Sequence, residues 1–404
     1  MSATNPLWAY AVLLTERMVQ PMDKPTVQDI FHRFYPAYLD QYSPSPVQAK
    51  VAHNIMNCKT GAYGANVCVC EDCGSVQIHY NSCRNRCCPM CQAVPKEMWM
   101  DARREDVLDA PYFHLVFTVP DILNPVIYSN QKLLYDALYH AASATISELA
   151  ADSKHLGAKV GYICILHTWG SEMNFHPHIH TILLGGGLTS NNQWKDNGEN
   201  FFFPIQVISK VFRGKYLEEL KRLWEEDKLV FHGTAEKLRN HYTFKELLNS
   251  CYGMDWVPHC KKTFNGAGSV IKYLGKYTHR IAVSNHRIVR MDDDTVTFSV
   301  KDYRNEGRWK ELTISGIEFV RRFLMHVPPR RFVRIRHYGL LCSRTKRQKL
   351  TLCRNLLGCK KYLSELRDLE MPEILEHLYG IKVCVCKACG GHLGKPQMRM
   401  PLRC

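Results

Sequence analysis

The 404-residue chain has no apolar run long enough to cross a bilayer, so no helical membrane anchor is expected. Its earliest apolar stretch, Pro6 to Leu14, is short and has no basic lead, which fits neither an anchor nor an export signal. No G-x-x-x-x-G-K-[ST] element occurs, which argues against P-loop nucleotide chemistry. No internal repeat and no low-complexity tract stands out. Acid is missing where it is most informative. Between Val320 and Tyr362 there are thirteen Lys or Arg and no Asp or Glu. A short charge run is ordinarily a solvated surface, but a stretch of this length without a carboxylate suits a polyanion, and nucleic acid first. The whole chain agrees, with a formal net charge of +15.

What the chain has in excess is cysteine, eighteen in all. With no export signal these are expected in a reducing cytoplasm, where clustered thiols hold metal more often than they form disulfides. A hydrophobic fraction of 46% supports ordinary cores in two or three domains. Apolar spacing predicts helices over 27–38, 95–109, 130–151, 215–227 and 269–282. Strands are expected over 112–119, 160–167, 295–300 and 309–314, and in the histidine-rich segment that follows residue 174. Gly185, Gly186, Gly187 and the Asn/Gly-rich residues 189–200 read as a loop. Strands and helices interleave without the regular alternation of a doubly wound sheet, so the class is α+β.

The first cysteine block, C-V-C-E-D-C-G-S-V-Q-I-H-Y-N-S-C-R-N-R-C-C-P-M-C, contains Cys68, Cys70, Cys73, Cys83, Cys87, Cys88 and Cys91, with Cys58 just upstream. Cys70-x2-Cys73 and Cys88-x2-Cys91 each set two thiolates on one tight turn, as a tetrahedral Zn²⁺ site requires. The expectation is at least one zinc held by Cys70, Cys73, Cys88 and Cys91. Cys58, Cys83 and Cys87 are further ligands, enough for a second ion. Near the end, Cys384, Cys386 and Cys389 with His392 look like half of another zinc ribbon whose partner half is not obvious.

The segment N-F-H-P-H-I-H-T-I-L-L-G-G-G places His176, His178 and His180 at alternate positions of a strand, hence on one face. A bare His-x-His is ordinarily a pair of hydrogen-bonded structural histidines, yet a row of imidazoles also suits a metal. In I-K-Y-L-G-K-Y-T-H-R, Tyr273 and Tyr277 stand four apart, on one face of a helix, among Lys272, Lys276, His279 and Arg280. Tyrosines so spaced are usually half-buried packing residues. Surrounded by cations, a phenol ionises more easily and a phosphate is more easily held. Gly275 lies between them at a cost of roughly 1 kcal/mol of helix stability relative to Ala, which fits close approach of backbone or substrate.

Taken in order, H-P-H-I-H with L-L-G-G-G, then Y-L-G-K-Y-T-H-R-I-A-V-S-N-H-R-I, then R-I-R-H-Y-G-L-L, resemble the two-tyrosine HUH transposases of rolling-circle insertion sequences, insertion-sequence family ninety-one. The segment S-C-R-N-R-C-C-P-M-C resembles their amino-terminal zinc-binding region. The resemblance runs from about Val27 to the final cysteines. It departs locally: the family has histidine ahead of the last C-P-x-C where this chain has Cys87, a thiol that can replace that ligand. No ligand role is carried over to His176.

The resemblance implies a ferredoxin-like HUH nuclease domain over 96–290, with the histidine strand central in an antiparallel sheet, Tyr112 to Val119 beside it and the tyrosine helix crossing the site. Around it the chain divides into an amino-terminal extension with a helical lead (1–57), a small zinc-binding domain (58–95) that the resemblance covers, and a basic carboxy-terminal region (291–404) in which the half ribbon at Cys386 and Cys389 is a candidate second zinc site. His178 and His180 would hold Mg²⁺ or Mn²⁺, with Glu172 and His176 the nearest further donors. Tyr273 and Tyr277 would be nucleophiles that cut and rejoin single-stranded transposon ends and target. Lys272, Lys276, Arg280, Arg334 and Arg336 would contact the DNA. The expected setting is the bacterial cytoplasm, at the nucleoid. Two rivals stand beside this reading: a zinc-ribbon DNA-binding regulator without catalysis, and a metal-dependent hydrolase that activates water. The first leaves the histidine strand unexplained, and the second lacks a clear carboxylate base.

Overall fold

The structure, a computed structural model, describes residues 24–197, 203–256, 259–262, 270, 275, 281–302, 307–394 and 397–399. Tyr273, Tyr277, Lys272, Lys276 and Arg280 lie outside the described residues. Helix α1 (Val27–Gln41) starts at a capping box in which Thr26 and Asp29 satisfy each other's backbone N–H. Helix α2 (Pro46–Met56) starts the same way at Ser45 and Gln48. A hairpin of β1 (Ala65–Val69) and β2 (Val76–Tyr80) follows, then α3 (Ala93–Arg104).

The central unit begins at β3 (Tyr112–Thr118) and continues through α4 (Asn124–Ser129), α5 (Gln131–Ala151), β4 (Lys159–Trp169), β5 (Phe175–Leu188) and the short β6 (Trp194–Asp196). It closes with α6 (Ile205–Glu225), α7 (His241–Gly253) and β7 (His259–Lys262). The sheet order is β11-β4-β5-β3-β7, all neighbours antiparallel, where β11 is Ile335–Gly339. Counting β3, β4, β5 and β7 as first to fourth, this is the order fourth-first-third-second of the split βαββαβ, or ferredoxin-like, arrangement, with β11 added at one edge. The expected α+β class and the central place of the histidine strand both hold.

The two faces of this sheet differ. Phe113, Leu115, Phe117, Tyr162, Cys164, Leu166, Ile179 and Leu183 bury against α5 and α6 in the main core. On the other face Tyr112, Ile163, Ile165, Ile182 and Leu184 form a smaller apolar layer with Val270, Leu350 and Cys353. Alternation along each strand produces this split, and the register keeps it across strands.

Beyond β7 come β8 (Ile288–Met291), β9 (Thr295–Asp302) and β10 (Arg308–Ser315), a separate antiparallel sheet, followed by α8 (Gly316–Met325). After β11 follow α9 (Lys346–Leu357), α10 (Met371–Tyr379) and β12 (Gln397–Arg399). Phe298, Phe319 and Phe323 share one core with Ile30, Phe31 and Ile55 of α1 and α2. The linear partition expected from sequence therefore does not match the packing. Described residues of the expected extension, in α1 and α2, and of the expected carboxy-terminal region, in β9, β10 and α8, bury apolar side chains in one core.

A second correction concerns Gly185, Gly186 and Gly187, which are not loop but lie in the last residues of strand β5. A Cβ on Gly187 would meet the Lys159 carbonyl carbon at 2.8 Å, and one on Gly185 would meet the Pro111 carbonyl oxygen at 2.8 Å. Gly185 and Gly187 are needed because neighbouring backbone passes too close for a side chain, and Gly186 because the Trp194 ring covers it.

Candidate active site and cysteine clusters

The register converts strand positions into a cluster. His178 of β5 lies opposite His167 of β4 on one side and Thr118 of β3 on the other; His180 lies opposite Ile165 and Val116. Directly opposed residues share a face, so His167, His178 and His180 converge, and one ligand nitrogen from each lies within 4.8 Å of the others. All three rings are nearly buried. His178 Nδ1 faces the backbone oxygen of His176 at 2.7 Å. A carbonyl only accepts, so that nitrogen carries the proton and Nε2 is the basic one. The two Nε2 atoms of His178 and His180 are 3.1 Å apart. Donors at adjacent positions on one ion with bonds near 2.1 Å sit about 3.0 Å apart, so the pair fits a divalent cation. His180 Nδ1 meets His114 Nε2 at 2.9 Å, an outer contact that fixes the ring.

The third imidazole is therefore His167, and neither of the donors expected from sequence. Glu172 pairs instead with Lys310 at 3.6 Å, and the His176 ring points to Asp121 at 3.4 Å. His167 was already the last residue of an expected strand. Only the pairing register, invisible in the chain, sets it opposite His178.

The turn that launches β5 is held by three side chains that sequence reading did not select. Arg287 Nη2 donates to the Ser171 oxygen (2.6 Å), Arg322 Nη1 to the Glu172 oxygen (2.9 Å) and His326 Nε2 to the Met173 oxygen (3.0 Å). Met173 has φ of 57°, so a residue with a Cβ sits in the left-handed region there, and the three donors brace it. His326 Nδ1 accepts from Thr168 at 3.1 Å, and burial holds its pKa down at about 4, so it works as a neutral ring.

The cysteines separate into two groups. Sγ atoms of Cys58, Cys83, Cys88 and Cys91 gather in one, with Cys58–Cys91 at 3.5 Å and Cys83–Cys91 at 3.6 Å. Four thiolates at about 2.3 Å from one zinc have edges near 3.8 Å, so this set fits a tetrahedral ion. Crowding four thiols into a buried pocket pulls the Cys91 pKa far down through hydrogen bonds from Cys58, Cys83 and Cys88. Cys70 and Cys73 are elsewhere, beside Cys386 and Cys389. The expected quartet of Cys70, Cys73, Cys88 and Cys91 is thus corrected. The hairpin β1–β2 carries its tip away from the Cys83–Cys91 turn, so the two Cys-x2-Cys pairs face different partners. Cys87, expected as a ligand, is buried outside both groups, where burial raises its pKa while Arg334 and Arg86 pull it back. Its neighbour Cys88 takes the inward position of the turn.

The basic run is also partly spent inside the protein. Arg321 and Arg322 pair with Glu318, Lys346 with Asp106, and Arg336 with Asp136. The Arg336 guanidinium further stacks 4.0 Å above the Tyr139 ring, so it is committed to the fold rather than presented to DNA. Arg334, half-buried, has its pKa lowered by burial. Exposed along the run are Arg330, Arg331, Arg344, Arg347, Lys360 and Lys361.

A split βαββαβ sheet with an imidazole trio on one face, preceded by a cysteine module, is an α+β architecture with two kinds of donor cluster able to hold metal. Comparison with known proteins makes this specific. A family described as "Transposase zinc-binding domain" matches residues 30–119, and one described as "Putative transposase" matches 161–349. The chain is 41% identical over 369 residues to "Putative transposase y4qJ" of Sinorhizobium fredii, covering 90% of this chain and 93% of that one. It is 28% identical over 308 residues to "Transposase for insertion sequence element IS801" of Pseudomonas savastanoi pv. phaseolicola, covering 75% of this chain and 72% of that one. A solved conjugative relaxase, TrwC with oriT DNA, aligns over 27% of this chain and 44% of its own at 18% identity and a TM-score of 0.21, too remote to carry weight. The chain belongs to the IS91 family of transposases and carries that family's zinc-binding domain.

Proposed function

We propose that this transposase cuts and rejoins single-stranded DNA by tyrosine transesterification at the face bearing His167, His178 and His180. The observation that carries the reading is the convergence of these three imidazoles beside an apolar layer that includes Val270. Val270 and Gly275 are helical and stand on either side of Tyr273 in sequence. A Cβ on Gly275 would collide with Met100 Sδ of α3, and Met100 packs on that same layer. These two described positions lie on the sheet face that bears the histidines, which supports the role proposed for Tyr273 and Tyr277.

The imidazole trio would hold Mg²⁺ or Mn²⁺, whose charge, when bound, would offset the negative charge growing on a non-bridging oxygen of the scissile phosphate. In this reading the phenol oxygen of Tyr273 or Tyr277 attacks phosphorus in line. The phenol gives up its proton as the new ester forms, the bond to the 3′ oxygen breaks and that oxygen is protonated in turn, and the 5′ phosphate stays on tyrosine. The phosphodiester energy is kept in the new ester, so no nucleotide is needed. A second tyrosine lets a second strand be cut while the first remains attached, and the returning 3′ hydroxyl reverses the step on a new end. His178 and His180 are oriented for the ion by the His176 carbonyl and by His114. Arg287, Arg322 and His326 hold the turn before them, so the site rests on a braced strand rather than on a loop. Arg330, Arg331, Arg344, Arg347, Lys360 and Lys361, with Lys272, Lys276 and Arg280, would meet the backbone phosphates.

The test is incubation of the zinc-loaded protein with labelled single-stranded DNA from the element's ends and Mg²⁺. A denaturant-stable protein–DNA adduct is expected, absent from the His178→Ala/His180→Ala variant although DNA binding persists. A wild-type rate of cleavage in that variant, or hydrolysis with no adduct at any stage, would overturn the reading. A regulator without catalysis would bind and never cut.

A further inference from the structure

We infer that the chain holds a second structural zinc in a ribbon assembled from its two ends, with Cys70 and Cys73 from one and Cys386 and Cys389 from the other. The matched transposase families reach only to residue 349, so half of this site lies beyond them. It does not depend on how the DNA is cut.

The two halves have the same local build. C-E-D-C-G at Cys70–Gly74 and C-K-A-C-G at Cys386–Gly390 each put cysteines at the first and fourth positions and glycine fifth. In the first, Gly74 N–H donates to the Cys70 oxygen (3.0 Å) and Cys70 N–H to the Ser75 oxygen (2.9 Å). In the second, Gly390 N–H donates to the Cys386 oxygen (2.9 Å) and Cys386 N–H to the Gly391 oxygen (2.8 Å). Gly74 and Gly390 have φ of 71° and 77°, the left-handed conformation that a side chain resists. Each turn thus aims two Sγ atoms the same way, and the turns face each other. Cys70 Sγ is 3.5 Å from Cys389 Sγ, and Cys73 Sγ is 3.8 Å from Cys386 Sγ. Tetrahedral zinc–thiolate edges are near 3.8 Å, whereas a disulfide needs about 2.05 Å.

The surrounding backbone is joined as a ribbon requires. β1 pairs with β2 and with β12, Cys70 bridges Leu393, and Glu71 N–H donates to the His392 oxygen at 3.0 Å. Asp72 accepts from His392 N–H at 3.0 Å. Among the described residues the module's buried cluster is small: Cys68, Cys70, Cys386 and Leu393. So few apolar groups cannot offset the ordering of two chain segments some three hundred residues apart, and zinc binding supplies the missing stabilisation.

Metal analysis of reduced, full-length protein should give two zinc per chain, and Cys386→Ser/Cys389→Ser should give one. One zinc in the wild type, or two in the variant, would overturn the inference. Thiol alkylation of the wild type, read by peptide mapping, stays decisive even if the variant misfolds. Cys73, Cys389 and Cys384 are all exposed, but Cys384 is outside the group. Cys384 should be labelled at once, Cys73 and Cys389 only after a chelator is added. Equal labelling of all three with zinc present would refute the site.

Discussion

Replacing His167 by alanine tests the geometry of the histidine face most sharply. The change deletes one of three nitrogens that lie within 4.8 Å of each other and leaves His178 and His180 with their own contacts to His176 and His114. Loss of a group that merely orients a metal ligand costs on the order of 10- to 100-fold in affinity. Loss of a direct ligand should cost at least the upper end, about 100-fold, or about 2.7 kcal/mol. His176→Ala and Glu172→Gln are the controls, since those side chains pair with Asp121 and Lys310. The assay is Mn²⁺ titration followed by electron paramagnetic resonance on protein whose cysteine sites are already filled with zinc, with DNA cleavage measured in parallel. His167→Ala should bind Mn²⁺ about 100-fold more weakly and cleave correspondingly poorly, with each control within about threefold of wild type. If His167→Ala bound Mn²⁺ as the wild type does, or if His176→Ala cost as much, the trio would not be the ligand set.

Four further outcomes are expected. Either Tyr273→Phe or Tyr277→Phe alone should leave some covalent adduct on single-stranded DNA but lose coupled strand transfer, and the double change should leave none. DNA on a single tyrosine by peptide mapping, with the other variant transposing normally, would reduce the mechanism to one nucleophile. The nine cations assigned to phosphates, six of them exposed in the basic run, should give log–log salt slopes of about −6 on single strands, and a flat dependence would deny them phosphate contacts. His326, with its pKa held near 4 by burial, binds its proton in the unfolded chain first as pH falls below about 6.5. Stability should therefore drop between about pH 6.5 and 4, by up to about 3 kcal/mol, and His326→Gln should flatten that slope in denaturant titrations; an unchanged slope would mean that another group carries it. Gly187→Ala, whose Cβ would strike the Lys159 carbonyl, should lower stability by about 1–3 kcal/mol, seen as a reduced Tm.

The sequence by itself determined the local chemistry. Alternation put His176, His178 and His180 on one face, and Cys-x2-Cys spacing marked three turns able to hold two thiolates each. The long interval without carboxylates marked a basic surface. These are short-range facts, set by the two-residue period of a strand and the reach of one turn. Which of those groups meet was decided only by tertiary structure, because it depends on pairings between distant segments. Register across β4 and β5 chose His167 over Glu172 and His176. The return of residues 384–394 and of β12 to the β1–β2 hairpin supplied the missing half of a ribbon and drew Cys70 and Cys73 away from Cys88 and Cys91. Cations that look alike in the chain divided according to which met a carboxylate: Arg336 found Asp136, while Arg330 and Arg331 stayed in water. Contacts of this kind close over eleven residues for His167 and His178 and over hundreds for the ribbon, and in each case the pairing is set by register and topology rather than by the local pattern.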